Sequence, residues 1–307
     1  MNIINLSCLK YYKKIIHNSN KKQIKAFTLI ETSILFLVIG ILIIGVSTGL
    51  DLYQDYKITI AKNLTQNSRV TRIDDLVLWL ETSQKSSFEP NAIANGQRIS
   101  KWKNIAPNIF ETERSLNNAI PQTQTPPKFI EGAINNLPAL DFNKDENDYL
   151  WVRSGFDGNG KNNSIFLVLK TKSGWNDINQ PRLLEKPANY NFNAMLSLRT
   201  NVLVHNSSLG VYGYFGLYTI QPNSLVLYEI IINRGDKFYF NIYGDYRLNG
   251  EKNEAFNGPY NPTGLSIGSS ADAYFAELII FDRALNFDER QGVKDYLFQK
   301  WGIKSKG

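Results

Sequence analysis

The sequence has 307 residues, of which 43% are hydrophobic and 20% are charged, so it can bury a large core and is not a disordered chain. The net charge of +6 arises in residues 1–26, which contain six lysines and no acidic residue. Without those six of its 34 basic residues, the remaining chain has 28 basic and 28 acidic residues. A neutral body lacks the basic surface that nucleic-acid binding requires, so nucleic acid is excluded as a partner.

The basic leader also contains Cys8, the single cysteine, and His17, one of the two histidines. If the leader is removed, the mature chain has no thiol, and packing rather than a disulfide must stabilise it. His205 is then the remaining histidine, which gives little basis for a His-ligated metal or a His-based catalytic triad.

A run of 19 uncharged residues follows the leader, at Thr32–Leu50. At about 1.5 Å per helical residue it nearly matches a hydrocarbon core of about 30 Å, so it predicts a transmembrane helix. The leader charges precede the run, and Asp51 and Asp55 follow it. The positive-inside rule therefore predicts a single-pass protein with a cytoplasmic N-terminus and an exported body.

Glu31 places a carboxylate at the start of this apolar segment, where a charge within a membrane costs about 2.5 to 3.5 kcal/mol and usually has a partner. A secretory signal peptide would have a shorter apolar run and a clear small-residue cleavage site. Neither that alternative nor an uncleaved anchor explains the glutamate.

The stretch KAFTLIE, residues 25–31, resembles the prepilin cleavage motif of type IV pilins and pseudopilins, and the likeness continues in VIGIL and YQDYK, residues 38–42 and 53–57. The resemblance implies that a prepilin peptidase cuts between Ala26 and Phe27 and methylates the new amine. It also implies that Glu31 pairs with this cationic amine in a neighbouring pilin-like subunit. The protein would then sit in a bacterial inner membrane before assembly and in an envelope filament or at the cell surface afterwards.

Three regions follow from these features: a leader at residues 1–26, a helix with its linker at residues 27–73 (membrane part 32–50), and a head at residues 74–307. In the head, short apolar and aromatic runs alternate with Gly, Pro, Asn and Asp, which is typical of an antiparallel sandwich. The runs are LVLWL, SIFLVLKTK, AMLSLRT, GVYGYFGLYTI, LVLYEIIIN, KFYFNIY, GLSIG and YFAELIIF. Gly244-Asp245 suits a two-residue type II′ hairpin turn.

One helix is predicted at the end of the chain, in LNFDERQGVKDYLFQKWGI. Asn286 and Glu289 have the spacing of a capping box. An apolar stripe, which we expect to pack on the sandwich, is formed by Val293, Tyr296, Leu297 and Trp301.

The order of motifs in the head resembles concanavalin A-like, laminin G-like jelly-roll domains. The likeness covers residues 74–303 and is carried by LVLWLETS, GQRISKWKNIAPN, PPKF, NLPALDFNKDENDYLWV and the last 37 residues of that range. It implies a mainly β fold, with a jelly-roll sandwich, a C-terminal helix and the long N-terminal transmembrane helix before them. Lectins, glucanases and adhesive modules share the fold, so the fold alone does not choose a function.

Tyrosines alternate with apolar residues in two of the predicted strands. The rings that share a face within their strand are Tyr212, Tyr214 and Tyr218, and Tyr239 and Tyr243. Such a face can stack on a sugar or contact a protein surface, so these five residues are candidates for ligand binding. The alternative is that the rings cover a sheet or meet the final helix.

Two other kinds of site are weighed on the acidic residues. Glycoside hydrolysis needs paired carboxylates, but the strand of Glu277 has Ile279 and Phe281 where a partner would stand, so we predict that the protein is not an enzyme. Calcium could use loop oxygens, although solvated turns explain the same composition. The weak candidates for calcium are Asp141, Asp145, Asp148 and Asp157.

The predicted function is therefore that of a minor pilin or pseudopilin-like envelope subunit that displays a lectin-like head for a glycan or surface protein. Two alternatives stay open. One is a membrane-tethered lectin-like module that never polymerises, and the other is an envelope glycan hydrolase.

Overall fold

The computed structural model describes residues 27–90, 93–107, 109–123, 125–153, 162–173, 183–185, 195–198, 202–206, 211–214, 220–233, 238–252 and 264–304. The chain divides into two compact units, one ending at Leu52 and the other extending from Tyr53 to Gly307. The helices are α1 (Leu29–Gln66), α2 (Glu111–Leu116) and α3 (Phe287–Trp301). Short 3-10 turns lie at Arg69–Arg72 and Lys85–Ser87.

The first unit contains the apolar part of α1, a helix of 38 residues in total. It is long and apolar enough to span a membrane, as the uncharged run predicts. None of the residues in its most apolar window is buried.

Antiparallel strands make up the second unit. They are β1 (Leu76–Glu81), β2 (Ala119–Pro121), β3 (Lys128–Ile134), β4 (Leu137–Phe142), β5 (Leu150–Val152), β6 (Asn163–Thr171), β7 (Leu184–Glu185), β8 (Met195–Leu198), β9 (Val202–Asn206), β10 (Val211–Tyr214), β11 (Leu225–Ile232), β12 (Phe238–Gly244), β13 (Leu248–Lys252), β14 (Leu265–Ile267) and β15 (Ala273–Phe281). Each of the eight apolar runs in the sequence contains one of these strands, so the mainly β prediction is confirmed.

An eight-stranded sheet organises the head, in the order β13-β12-β11-β6-β15-β4-β3, and β1 also pairs with β15. Both β4 and β1 pair with β15, and a register shift between Phe275 and Glu277 separates their two sections. A four-stranded sheet, β2-β5-β14-β7, and a three-stranded sheet, β10-β9-β8, complete the β structure of the described residues.

The central strands of the large sheet, β6, β11 and β15, are buried on both faces. Leu167, Tyr228 and Leu278 point into a core shared with the four-stranded sheet, whereas Phe166 and Ile279 point into a second core under α3. Strands covered on both faces read as continuous apolar runs rather than as alternating ones, which explains the pattern LVLYEIII of β11. The head therefore has three layers: the four-stranded sheet, the large sheet and helix α3.

Helix α3 forms where its sequence predicts it. Asn286 and Glu289 make the reciprocal capping box, and Gly302 ends the helix in the left-handed conformation, with a φ of 66°. All four residues of the predicted apolar stripe are buried against the large sheet. Sequence and structure agree here because every signal is local.

The β12–β13 hairpin corrects one prediction. Gly244 still pairs with Val226 of β11, so β12 continues through the position where the two-residue turn was expected. The Asp245 carboxylate accepts a hydrogen bond from Leu225 N at 2.9 Å, and Ile242 pairs with Leu248. The connection is therefore longer than a type II′ turn.

Candidate functional site

The predicted processing site lies at the boundary of the described residues. Ala26 lies outside them, and Phe27 is exposed. The Glu31 carboxylate, in the first turn of α1, accepts hydrogen bonds from Thr28 N at 2.8 Å and from Thr28 Oγ1 at 2.9 Å. This contact caps the helix within the chain. Cleavage, methylation and the pairing of Glu31 between subunits stay predictions.

The last turns of α1, Tyr53–Gln66, are here called the stalk segment, and they belong to the same compact unit as the head. Ala61 belongs to the second core, under α3, which contains residues of the large sheet, and Thr65, one turn later, is also buried. Tyr53 and Tyr56 are exposed, at 47% and 59%. By the 3.6-residue period of the helix, Tyr56 points away from Ala61 and Tyr53 lies beside the buried face. One face of the stalk segment is therefore part of the head, and the other is free.

Tyr239 and Tyr243 face α3. The Tyr239 ring lies 4.8 Å from the Arg290 guanidinium, and the Tyr243 ring packs edge-on against Phe298 with centroids 5.7 Å apart. The Tyr243 hydroxyl donates to Glu229 at 2.7 Å, and burial, followed by the Glu229 charge, raises the pKa of this hydroxyl. These contacts are those of the packing alternative; a binding role for the two rings stays a prediction.

The other candidate tyrosines lie in or after β10. The backbone of Tyr212 pairs with that of His205, and the backbone of Tyr214 pairs with that of Leu203. Tyr218 lies outside the described residues. Ligand binding by these residues stays a prediction.

Asp141 and Asp148 do not form an open cluster of oxygen ligands. Asp141 Oδ1 accepts from Lys172 Nζ at 2.6 Å, and that lysine also pairs with Asp272 at 3.1 Å. Asp148 is buried and accepts from Asn143 N at 2.7 Å. Burial, together with the neighbouring carboxylates, raises the pKa of Asp148 to about 6.

The other two calcium candidates are Asp145 and Asp157. Asp145 N donates to the Asn143 side chain, and Asp157 lies outside the described residues. Within the described part of the chain, no group of three or more His, Cys, Asp or Glu side chains could hold a metal ion. Calcium binding stays a prediction.

A buried ionic cluster, unmarked by any local motif, joins β1, β15 and α3. Glu81 and Glu277 lie opposite each other in the β1–β15 register, and Lys300 bridges them at 2.8 and 2.9 Å. All three side chains are 0% exposed. Burial alone would lower the pKa of Lys300, but the two carboxylates outweigh it and raise that pKa. Glu81, Glu277 and Lys300 are here called the Lys300 cluster.

Each carboxylate of the Lys300 cluster has further donors. Glu277 accepts from the indoles of Trp79 and Trp301 and from the Tyr296 hydroxyl, each at 2.7 Å. Glu81 accepts from Ser83 N at 2.8 Å and from Gln84 N at 2.7 Å. The sequence suggests no second carboxylate for Glu277 on its own strand, and in the structure the second carboxylate is Glu81 of β1. Because both groups are closed to solvent and hydrogen-bonded, this pair offers no access to a glycoside.

Another buried carboxylate, that of Glu229 in β11, also contacts α3. It accepts from Arg290 Nε at 2.9 Å and from Arg290 Nη2 at 3.1 Å, and Asn241 Nδ2 donates to it at 2.8 Å. A charged residue in the middle of an apolar strand signals such a partner, and so does Lys300 in the middle of the apolar stripe of α3. Both signals are present in the sequence, but they do not name the partner.

Two concave surfaces lie beside the stalk segment. A groove of about 440 Å³ runs between its end and α3, with polar lining from Asn63, Asn67, Arg69, Asp295 and Gln299. A cleft of about 70 Å³ is walled by Ile58, Phe88, Phe129 and Pro138.

No family model matches the chain, and no curated protein matches it. Solved structures do resemble it. Botulinum neurotoxin type C, whose cell entry is described as dependent upon interaction with two ganglioside molecules, has 10% identity and a TM-score of 0.51 over 75% of this chain and 53% of its own. The binding domain of Paraclostridial Mosquitocidal Protein 1 has 15% identity and a TM-score of 0.48 over 76% and 56%. This chain thus spans about half the length of these structures.

A GH54 α-L-arabinofuranosidase resembles the chain more distantly, with 12% identity and a TM-score of 0.43 over 66% of this chain and 51% of the enzyme. At such identities the likeness to the neurotoxin describes the fold alone. The head is therefore a β-sandwich whose fold resembles that of the neurotoxin structure.

Proposed function

We propose that this protein is a membrane-anchored envelope subunit that displays a β-sandwich recognition head and assembles through its N-terminal helix, as pilin-like subunits do. One observation carries the proposal: α1 is a single helix with two different halves. Its first half is apolar, exposed and long enough to span a membrane, and its last turns pack in the core of the head. Such a helix serves both as an anchor and as a support for the head.

Assembly into a filament is supported by the prepilin-like stretch KAFTLIE and by the free face of the stalk segment. Tyr53, Tyr56 and Ile60 leave 47%, 59% and 37% of their surfaces exposed. They follow an apolar run that already matches a hydrocarbon core, so another helix, rather than lipid alone, is a suitable cover. The prepilin peptidase and other pilin-like subunits are then the partners. The alternative is a tethered module that does not polymerise.

A lectin-like role for the head is supported by its fold, which it shares with a toxin described as dependent on gangliosides. A glycan or a surface protein is therefore the proposed ligand, with Tyr212 and Tyr214 as proposed contacts. The proposal includes no catalytic role, because the paired carboxylates Glu81 and Glu277 are sealed by Lys300.

The assembly step is tested with Glu31→Gln in the host that makes the protein. This change keeps the side-chain size and removes the charge proposed to pair with the amine of a neighbouring subunit. We expect at least tenfold less protein in the sheared filament fraction, with unchanged protein in the membrane fraction. Asp51→Asn, which removes a carboxylate at the other end of the apolar run, is the matched control. Equal incorporation of both variants and the parent would contradict assembly through Glu31.

A further inference from the structure

The Lys300 cluster reaches the stalk segment through Thr65. Lys300 Nζ donates to Thr65 Oγ1 at 2.8 Å and lies 3.0 Å from the Tyr296 hydroxyl. Thr65 is 2% exposed, and its hydroxyl is also 3.0 Å from Ala61 O, to which it donates. One ammonium group therefore joins α1, β1, β15 and α3.

Moving the Thr65 side chain out of its place on the head would break its buried hydrogen bonds. Thr65 Oγ1 also lies 3.1 Å from the Tyr296 hydroxyl, and both side chains lie against Lys300, which is 0% exposed. A hydrogen bond that Thr65 loses here is therefore not replaced by bulk water. Ala61, one turn before Thr65, is 1% exposed, so this face of the helix is covered by the head. Both features oppose rotation of the stalk segment about its axis.

We propose that the Lys300 cluster is a lock that holds the stalk segment in one orientation on the head, so that the two move as one body. The charges that anchor the lock come from the head, and the stalk contributes one neutral hydroxyl. Opening the lock on the stalk side therefore leaves the ion pairs of the head intact. This proposal does not depend on filament assembly, since a tethered module would contain the same lock.

The separation of the two sides allows a selective test. Thr65→Val keeps the branched shape and removes the hydroxyl that accepts from Lys300. Thr59→Val is the matched control, because Thr59 is exposed on the same helix and its hydroxyl donates to Asp55 O at 2.8 Å within the helix. Hydrogen exchange of the full chain in detergent micelles, followed by mass spectrometry, reports on each element separately.

We expect Thr65→Val to accelerate amide exchange about tenfold in peptides from the stalk segment, because a hydrogen bond to a charged donor is lost. Peptides from β1 and β15 should exchange as in the parent, and Thr59→Val should change neither set. The proposal is overturned if the stalk peptides of Thr65→Val keep the parent's protection. It is also overturned if β1 and β15 lose protection to the same extent, because the hydroxyl would then stabilise the head as a whole.

Discussion

The ion pair between Glu229 and Arg290 should contribute strongly to docking of α3, and Arg290→Met tests this. Glu229 is 0% exposed and Arg290 is 15% exposed. Removing one partner of a buried pair costs about 3 to 5 kcal/mol, because the other charge stays buried. Asn241 and Tyr243 still donate to Glu229, and Lys294 Nζ lies 3.9 Å away. We therefore expect the low end of that range, about 3 kcal/mol.

The loss should depend on pH in a defined direction. Burial alone would raise the pKa of Glu229, but hydrogen bonds and charge from Arg290 outweigh it and hold this pKa below its ordinary value. The parent pair therefore stabilises the fold above the unfolded pKa of about 4.3, and this stabilisation is lost as the pH falls through the lower folded pKa. In the variant, Glu229 takes up a proton more readily. The difference in free energy of unfolding between the parent and Arg290→Met should therefore become smaller as the pH falls from about 7 to about 4.

The assay is urea unfolding of the full chain in detergent micelles, followed by tryptophan fluorescence at several pH values. Arg283→Met is the matched control: Arg283 pairs with Glu289 at 2.6 Å, but the two side chains are 30% and 24% exposed. A pair of that exposure should contribute about 1 kcal/mol or less. The account of α3 docking is wrong if Arg290→Met lowers the free energy of unfolding no more than Arg283→Met does. It is also wrong if the loss of stability in Arg290→Met is the same at every pH.

Two further predictions concern the head. A fragment of residues 53–307 should be more stable than one of residues 74–307 by about 3 kcal/mol or more, because the shorter fragment lacks the buried side chains of Ala61, Val70 and Ile73. Equal melting temperatures of the two fragments would contradict this prediction. The double substitution Tyr212→Ala and Tyr214→Ala should weaken binding to a glycan panel or host surfaces about tenfold, because two stacking rings are lost; unchanged binding would assign them to packing.

The sequence predicts those parts of the fold whose signals are local. Helix α3 carries its cap, its stripe and its terminating glycine within one short stretch, and the strands carry apolar runs between turn residues. The turn at Gly244 is predicted wrongly because a neighbouring strand, β11, keeps that glycine paired. Local turn chemistry gives way there to pairing within the sheet.

The buried charges lie beyond such reasoning because their partners are distant in the sequence. Lys300 and Glu81 are 219 positions apart, and they meet where β1 pairs with β15 and α3 covers both strands. The same holds for the stalk segment: Ala61 and Thr65 look like ordinary helix residues until the head packs against them. At the end of residues 27–73, where the sequence predicts a linker, the structure has a 3-10 turn, Arg69–Arg72, with Val70 buried.

The most direct test of the proposed function is the N-terminus of the mature protein. The protein would be purified from the membrane and filament fractions of the organism that makes it, and its N-terminal peptide sequenced by mass spectrometry. Processing between Ala26 and Phe27 predicts a chain that begins at Phe27 and carries one methyl group on its amine, with the apolar part of α1 retained. A chain that begins at Met1, or one that begins beyond residue 45 and so lacks the anchor, would contradict the account.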